Sequence, residues 1–133
     1  MKVDAVAALE DKGIQPSAQR VAVADYVLET DEHPSADEVW ARVQKGFPMI
    51  SRATVYNTLN LFVERGLLAA HVLAEGRMVY DPNTRPHHHF IDEPSGRIYD
   101  VPWEAVRASG VDALPGFSVR AYQVVMRGKK KRG

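Results

Sequence analysis

The chain has no cysteine among its 133 residues. This absence excludes disulfides, thiolate zinc sites, iron–sulfur clusters and thiol-based redox sensing, because each of them needs cysteine sulfur. Any bound metal must therefore use nitrogen and oxygen ligands. No hydrophobic run approaches the ~20 residues that a helix needs to cross a bilayer. The first residues also lack the apolar stretch of a signal peptide. We therefore expect a cytoplasmic protein that does not contact a membrane.

The chain also lacks a net charge, with 17 Lys and Arg residues against 17 Asp and Glu residues. The two signs are unevenly distributed. Residues 1–82 hold eight basic and twelve acidic side chains, whereas residues 83–133 hold nine basic and five acidic ones. Phosphate contacts dominate nucleic-acid affinity, so the acidic first half argues against DNA binding unless its few arginines gather on one face.

The first half contains helix signals separated by short connections. Apolar residues repeat at helical spacing over 21–28 after Pro16-Ser17, which can start and cap a helix. The segment Ser35 to Glu38 has the pattern of a capping box and precedes a second amphipathic stretch, which we expect to end at Phe47-Pro48. Ser51 can cap a third helix, and Gly66 suits its end. Three short helices and a turn predict a helix-turn-helix core.

Two short apolar runs follow this core and predict a β-hairpin wing. They are Leu67 to Leu73 and Arg77 to Tyr80, joined by a turn at 74–76. The turn-prone segment 81–86, which contains two prolines, then marks a domain boundary. We therefore predict a winged-helix DNA-binding domain over 1–82, a hinge over 83–86 and a dimerisation domain over 87–133.

The second module has fewer residues but clear strand signals. His89 to Asp92 and Arg97 to Val101 flank a turn at 94–96 and predict a second hairpin. We expect a short helix near 103–109 and a strand over 118–127, followed by a basic tail. The predicted fold class is α+β, with an N-terminal winged helix-turn-helix domain and a small C-terminal α/β domain.

The third helix carries side chains suited to reading DNA. Arg52 can reach phosphate or guanine, Tyr56 can contact a thymine methyl or a phosphate, and Asn57 can pair with adenine. The same residues could instead form the solvated face of an amphipathic helix. Chemistry alone leaves both interpretations open.

Three motifs in order resemble the ferric uptake regulator (Fur) family: Pro16-Ser17-Ala18-Gln19-Arg20, His33-Pro34-Ser35-Ala36-Asp37-Glu38 and Ser51-Arg52-Ala53-Thr54-Val55-Tyr56-Asn57-Thr58-Leu59. The resemblance covers nearly the whole chain. It implies that Arg52, Thr54, Tyr56 and Asn57 face the major groove, and that Gln15 and Arg20 approach the backbone or minor groove. Family members often carry a lysine or arginine near Gln15. The candidate DNA-binding residues are Gln15, Arg20, Ser51, Arg52, Thr54, Tyr56, Asn57 and Arg77.

A run of histidines follows the predicted hinge. In a strand, His87 and His89 would point to one side and His88 to the other, so two imidazoles on one face could bind a metal. A solvated histidine patch is the alternative. The family resemblance extends to Tyr80-Asp81, His87-x-His89 and Ser95-Gly96-Arg97-Ile98-Tyr99-Asp100, and it implies a regulatory metal site. The implied ligands are His33, Asp81, His87, His89 and Asp100, a set suited to Fe(II) or Mn(II) and tolerant of Zn(II).

Aspartate at positions 81 and 100 resembles the peroxide-sensing PerR branch of the family, since iron-sensing members frequently have glutamate there. The resemblance implies that ferrous iron reacts with hydrogen peroxide, that His33 or His87 is oxidised, and that DNA is released. Manganese would support repression without this chemistry.

Relatives often hold a structural zinc with two Cys-x-x-Cys pairs, but this chain has Asp92 and Ser95 at the first pair and the basic tail at the second. A dimer must then rely on apolar packing, with candidates Val119, Val124, Val125 and Met126. The histidine run and the missing cysteines also resemble the haem-responsive Irr branch, which makes haem an alternative ligand.

The predicted function is a homodimeric repressor that binds a palindromic operator on double-stranded DNA when Fe(II) or Mn(II) is bound. An iron- or manganese-sensing regulator and a haem-responsive regulator are the alternatives within the family. A small metalloenzyme using His87, His89 and Asp100 is a further alternative, but the second module has little length for a substrate pocket and no motif supplies a general base. We therefore expect that the protein is not an enzyme.

Overall fold

The computed structural model describes residues 3–73 and 76–132. The chain divides into two compact units, Met1–Thr84 and Arg85–Gly133. The first unit combines helices with a two-stranded sheet, and the second is built on a three-stranded sheet. The fold class is therefore α+β. No helix within the described residues is long and apolar enough to cross a membrane.

Four helices are described in the first unit: α1 (Ala5–Asp11), α2 (Ala18–Val27), α3 (Ala36–Val43) and α4 (Arg52–Glu64). Each begins at a residue whose side chain accepts a hydrogen bond from a backbone N–H of the first turn, as an N-cap should. These caps are Asp4, Ser17, Ser35 and Ser51. The predicted α2, α3 and α4 are confirmed, but α1 was not predicted. Three of its seven residues are alanine and it buries only Ala5 and Leu9, so its hydrophobic pattern is weak.

The predicted C-terminal end is wrong for α3 and confirmed for α4. Both hydrogen bonds of the Ser35 capping box are present, but α3 ends at Val43 and not at Phe47-Pro48. Phe47 instead donates its N–H to the Val43 carbonyl and packs against the core from outside the helix. Gly66 follows the end of α4 with φ of 76°, a left-handed conformation that favours glycine, as predicted.

The core of the first unit is formed by the inward faces of its helices. Leu9, Val23, Val39, Leu59 and Phe62 each have a solvent exposure of 0%. Burying a side chain of this size contributes about 1.5–3 kcal/mol relative to leaving it exposed. The helices are therefore held by shared apolar contacts, which fix the position of α4 relative to α2 and α3.

The predicted wing is confirmed as an antiparallel pair, β1 (Ala69–Val72) and β2 (Met78–Asp81), with Ala69 opposite Asp81. Residues 74 and 75 of its predicted turn lie outside the described residues. The Tyr80 N–H donates to the Pro34 carbonyl over 2.9 Å, so β2 is attached to the segment that leads into α3.

The sheet of the second unit has the order β4-β3-β5, with β3 (His87–Asp92) at its centre. Strand β4 (Ile98–Pro102) is antiparallel to β3, so the predicted second hairpin is confirmed. Strand β5 (Val125–Gly128) is parallel to β3 and pairs with it from His89 to Asp92.

Two predictions for the second unit were wrong in extent. The helix expected over 103–109 is a single 3₁₀ turn, Trp103–Ala105, after which Val106 has extended backbone angles. The strand expected over 118–127 begins only at Val125, where it pairs with four residues of β3; the Val124 N–H before it donates to the His88 side chain instead of a backbone carbonyl. Residues 118–124 are irregular, although apolar and polar residues alternate over part of this segment as they would in a strand.

Candidate metal centre and DNA-binding surface

His33 and Asp81 form a buried pair in the first unit. His33 lies just before α3, and Asp81 is the last residue of β2. Because the Tyr80 N–H donates to the Pro34 carbonyl, the residues next to this bond are brought together. The His33 Nε2 atom lies 3.2 Å from Asp81 Oδ2, and both side chains are almost fully buried.

The backbone and ring of His33 are both held in defined positions. Its φ of 52° lies in the left-handed region, where a non-glycine residue costs about 1–3 kcal/mol and is found mainly at functional sites. Its Nδ1 atom lies 2.9 Å from the Asp31 carbonyl oxygen. A carbonyl oxygen only accepts, so Nδ1 carries the hydrogen, and Nε2 is the atom that faces Asp81.

The second unit contributes two histidines from one face of β3, as their strand parity predicted. The Nε2 atoms of His87 and His89 lie 3.1 Å apart. Asp100 lies on β4 directly opposite His89 in the antiparallel register. Its Oδ1 atom is 3.3 Å from His87 Nε2 and 3.4 Å from His89 Nε2. The three ligand-type atoms therefore converge on one point.

Hydrogen bonds on the opposite ring atoms define the tautomers of these two histidines. His87 Nδ1 lies 2.6 Å from the Arg85 carbonyl oxygen, and His89 Nδ1 lies 2.7 Å from the Gln123 side-chain oxygen. Both oxygens only accept, so both Nδ1 atoms carry a hydrogen. The two Nε2 lone pairs then face each other and the Asp100 carboxylate, an arrangement that is repulsive unless a proton or a cation lies between them.

The donor set matches the metals expected from the sequence. Each histidine presents Nε2 while Nδ1 donates to an oxygen, which is the usual arrangement of a metal-ligating imidazole. Imidazole nitrogen and carboxylate oxygen suit divalent iron, manganese and zinc. The residues present in each unit therefore fit a divalent cation.

His88 points to the other face of β3 and has a structural role in the second unit. It is fully buried, and its ring stacks on Trp103 with centroids 4.5 Å apart and an angle of 13°. Its Nδ1 atom accepts a hydrogen bond of 2.9 Å from the Val124 N–H. His88 therefore fixes the segment before β5 and belongs to the packing of this unit.

Four of the predicted DNA-binding residues line one groove of about 470 Å³ in the first unit. They are Gln15, Arg20, Thr54 and Asn57. The groove lies between the start of α2 and the exposed side of α4, and Arg20 donates to the Gln15 carbonyl over 2.8 Å. Sequence reasoning missed Gln19 and Thr58, which also line it. The groove is concave and mostly polar, and the Arg20 side chain gives it a positive charge.

The remaining predicted DNA-binding residues lie elsewhere, and most contact acidic side chains of α3. Asp37 Oδ1 accepts hydrogen bonds from Arg52 over 3.2 Å and from the Tyr56 hydroxyl over 2.8 Å. The bond to Asp37 raises the pKa of Tyr56 above its usual value. Arg77 forms an ion pair with Glu38. Arg52 and Arg77 are thus exposed but partly neutralised by neighbouring carboxylates.

The hydroxyl of Ser51 is used within α4 itself. It accepts from the Thr54 N–H over 3.0 Å and donates to the Thr54 hydroxyl over 2.9 Å. Ser51 therefore caps the helix and orients Thr54, which lines the groove.

Comparison with known proteins gives a consistent result. Residues 11–127 match the ferric uptake regulator family. The chain is 35% identical over 97 residues to the peroxide-responsive repressor PerR of Staphylococcus aureus (strain Mu50), a match that covers 73% of this chain and 66% of that protein. The chain thus spans just under two thirds of the length of this relative.

Two solved structures share the fold. A zinc-bound manganese uptake regulator is 26% identical, with a TM-score of 0.70 over 94% of this chain and 97% of the other. The ferric uptake regulator of Vibrio cholerae is 24% identical, with a TM-score of 0.74 over 96% of this chain and all of the other. At this identity the second match concerns the fold alone.

Proposed function

Since the chain belongs to the ferric uptake regulator family, whose members are transcription regulators and not enzymes, we propose that it is a metal-dependent repressor that binds DNA as a homodimer. One observation carries the proposal. In both units, histidines donate Nδ1–H to a fixed oxygen and direct Nε2 to a carboxylate, which is the arrangement of a metal site.

The proposed ligands of one regulatory ion are His33 and Asp81 from the first unit and His87, His89 and Asp100 from the second. Three imidazoles and two carboxylates match the charge of a divalent cation and suit Fe(II) or Mn(II), with Zn(II) also accepted. The relatives support this range, since one solved structure of similar fold is a zinc-bound manganese regulator. Ligands drawn from both units would make metal binding a constraint on both of them.

The burial of the histidines favours an ion over haem. His87, His88 and His89 have exposures of 7%, 0% and 0%, and the His88 ring is covered by Trp103. A planar macrocycle needs an open face beside its axial ligand, and these rings do not offer one. Haem is therefore the second candidate ligand.

Peroxide is the proposed signal, because the relative from Staphylococcus aureus is a peroxide-responsive repressor and this chain has aspartate at positions 81 and 100. Ferrous iron, when bound, would promote cleavage of the O–O bond of hydrogen peroxide. One oxygen would be added to a histidine and the other would leave as water, with the histidine supplying both electrons. From the family resemblance we expect the added oxygen on His33 or His87. Loss of one imidazole ligand would weaken metal binding and with it the DNA-competent state.

DNA recognition is proposed to use two surfaces of the first unit. The groove between α2 and α4 presents Arg20, Thr54 and Asn57, and the exposed side of α4 presents Arg52 and Tyr56. A dimer presents each surface twice, which matches a palindromic operator. The apolar candidates for the dimer contact are Val119, which is 37% exposed, and the half-buried 124–126.

The experiment is an anaerobic anisotropy titration of a palindromic DNA probe with wild type, His87→Ala and His89→Ala, using Fe(II), Mn(II) or haem. We expect wild type to bind with either ion and both variants to lose metal-dependent binding, while circular dichroism shows an intact fold. Glu104→Gln, an exposed residue outside the ligand set, is the control and should match wild type.

Peroxide then separates the possible signals. Loss of binding only in the Fe(II) sample, with one oxygen added to a peptide containing His33 or His87, supports the peroxide sensor. Insensitivity to peroxide with Fe(II) overturns that signal and leaves an iron or manganese sensor. Unchanged metal dependence in both histidine variants rules out the proposed ligand set.

A further inference from the structure

The segment that leads into β5 is attached to β3 at the histidines. The His89 N–H donates to the Val124 carbonyl over 3.1 Å, and the Val124 N–H donates to His88 Nδ1 over 2.9 Å. Val125 then pairs with His89 in the parallel register. These contacts fix the backbone on both sides of Val124, so the side chain of the preceding residue, Gln123, is placed beside His89.

Gln123 contacts His89 directly. Its side-chain oxygen lies 2.7 Å from His89 Nδ1, across 34 residues of sequence. His33 and His87 donate their Nδ1 hydrogens to backbone carbonyls two residues earlier, those of Asp31 and Arg85. His89 instead lies in the middle of the central strand, where the sheet already uses the backbone carbonyls, so it needs a side-chain acceptor.

His89 is buried and Gln123 is exposed, so the Gln123 side chain decides whether the buried His89 Nδ1–H has an acceptor. His89 has an exposure of 0%, so the environment of its ring is set by protein atoms, whereas Gln123 is an exposed residue. A buried Nδ1–H left without an acceptor costs about 1–3 kcal/mol, and this cost favours the other tautomer, in which Nε2 carries the hydrogen and binds no metal.

We propose that Gln123 is a positioning residue of the metal centre, which fixes His89 as the tautomer and orientation that directs Nε2 to Asp100. This inference rests on the proposed function. The amide oxygen of Gln123 accepts this hydrogen bond without carrying a charge, while the carboxylates of Asp81 and Asp100 balance a divalent cation. Gln123 thus supplies the acceptor without changing the charge of the ligand set.

The first measurement uses metal-free protein. Long-range ¹H–¹⁵N correlation at a pH where the imidazoles are neutral identifies which nitrogen of His89 carries the hydrogen. We expect the Nδ1–H tautomer in wild type and in Gln123→Glu, which keeps an acceptor oxygen. Gln123→Leu removes the acceptor, and we expect a mixture that includes the Nε2–H tautomer.

The second measurement is the affinity for Mn(II), determined by competition with a chelating dye. Outer residues that orient a histidine ligand typically change metal affinity by about 10–100-fold, so we expect a loss of that size in Gln123→Leu and recovery of most of it in Gln123→Glu. Gln44→Leu, the same substitution at the end of α3, is the control and should bind like wild type.

The outcomes separate this inference from the proposed function. Wild-type tautomer and wild-type Mn(II) affinity in Gln123→Leu would overturn the role of Gln123 while leaving the metal centre in place. Equal loss of affinity in the leucine and glutamate variants would also overturn it, because a general structural effect would then explain both. If wild type binds no Mn(II) while the tautomer shift is seen, the proposed function fails and the hydrogen bond stands.

Discussion

Asp37→Asn is expected to tighten DNA binding, because Asp37 contacts two side chains proposed to bind DNA. Its Oδ1 atom accepts from Arg52 and from the Tyr56 hydroxyl. Asparagine retains a side-chain oxygen that can accept both bonds, but it has no negative charge. The substitution therefore keeps Arg52 and Tyr56 in place while it removes a carboxylate that competes with DNA phosphates for Arg52.

The size of the effect follows from the exposure of the pair. The Arg52 and Asp37 side chains are 3.2 Å apart, with exposures of 61% and 59%. An ion pair this exposed is worth about 0–1 kcal/mol, so releasing Arg52 gains up to about fivefold in affinity per protomer and about 25-fold in a dimer. The slope of log K against log salt concentration should steepen by about 0.9 per protomer.

Anisotropy titrations with metal-loaded protein over a range of salt concentrations measure both quantities. Asp37→Ala should tighten binding less than Asp37→Asn, because it also removes the acceptor that holds Tyr56. Glu64→Gln is the control: it removes a charge at the far end of α4, about 18 Å along the helix from Arg52. An affinity and salt slope in Asp37→Asn no different from those of Glu64→Gln would show that Arg52 does not meet phosphate.

Two other substitutions test the groove and the turn of the second unit. Gln15→Lys adds a cation to the groove that contains Arg20, so the salt slope should steepen by about 0.9 per protomer; an unchanged slope would place the groove away from DNA. Hydrogen bonds from the Ser95 hydroxyl and the Lys130 N–H lower the pKa of Asp92. The Asp92 carboxylate therefore stabilises the fold fully above its unfolded pKa, about 3.9. This stabilisation is lost as the pH falls through the pKa of the folded protein. In thermal unfolding, Asp92→Asn should therefore have a lower Tm than wild type at neutral pH, and the gap should close below about pH 4; a constant gap would contradict this role.

The helices that could be predicted are those with a strong local signal. The Ser35 capping box and the Ser51 cap each involve residues three positions apart, and both appear in the structure. Helix α1 has a cap at Asp4 and a glycine after its end, Gly13 with φ of 70°, but its apolar pattern is weak and it depends on burying Leu9 against the other helices. Strand β5 starts after Val124, whose N–H donates to the His88 side chain, and sequence pattern does not encode that long-range contact.

The same distinction holds for the candidate site. The strand parity of residues 87–89 was sufficient to place His87 and His89 on one face. The contact of His33 with Asp81 depends on a backbone hydrogen bond between β2 and Pro34, and no local sequence pattern predicts that bond. Family resemblance supplied that pair, whereas Gln123 lay in no motif and was found only from its distance to His89.

The turn between β3 and β4 shows how the second unit is closed without cysteine. Asp92 Oδ2 accepts from the Ser95 hydroxyl over 2.5 Å, and Asp92 Oδ1 accepts from the Lys130 N–H over 2.8 Å. The Glu93 N–H also donates to the Gly128 carbonyl over 2.8 Å. These bonds connect the turn to the segment after β5, and none of their atoms can be oxidised as a thiolate can. Under the proposed function, peroxide that oxidises the histidine centre would therefore leave the connection between the turn and the C-terminal segment intact.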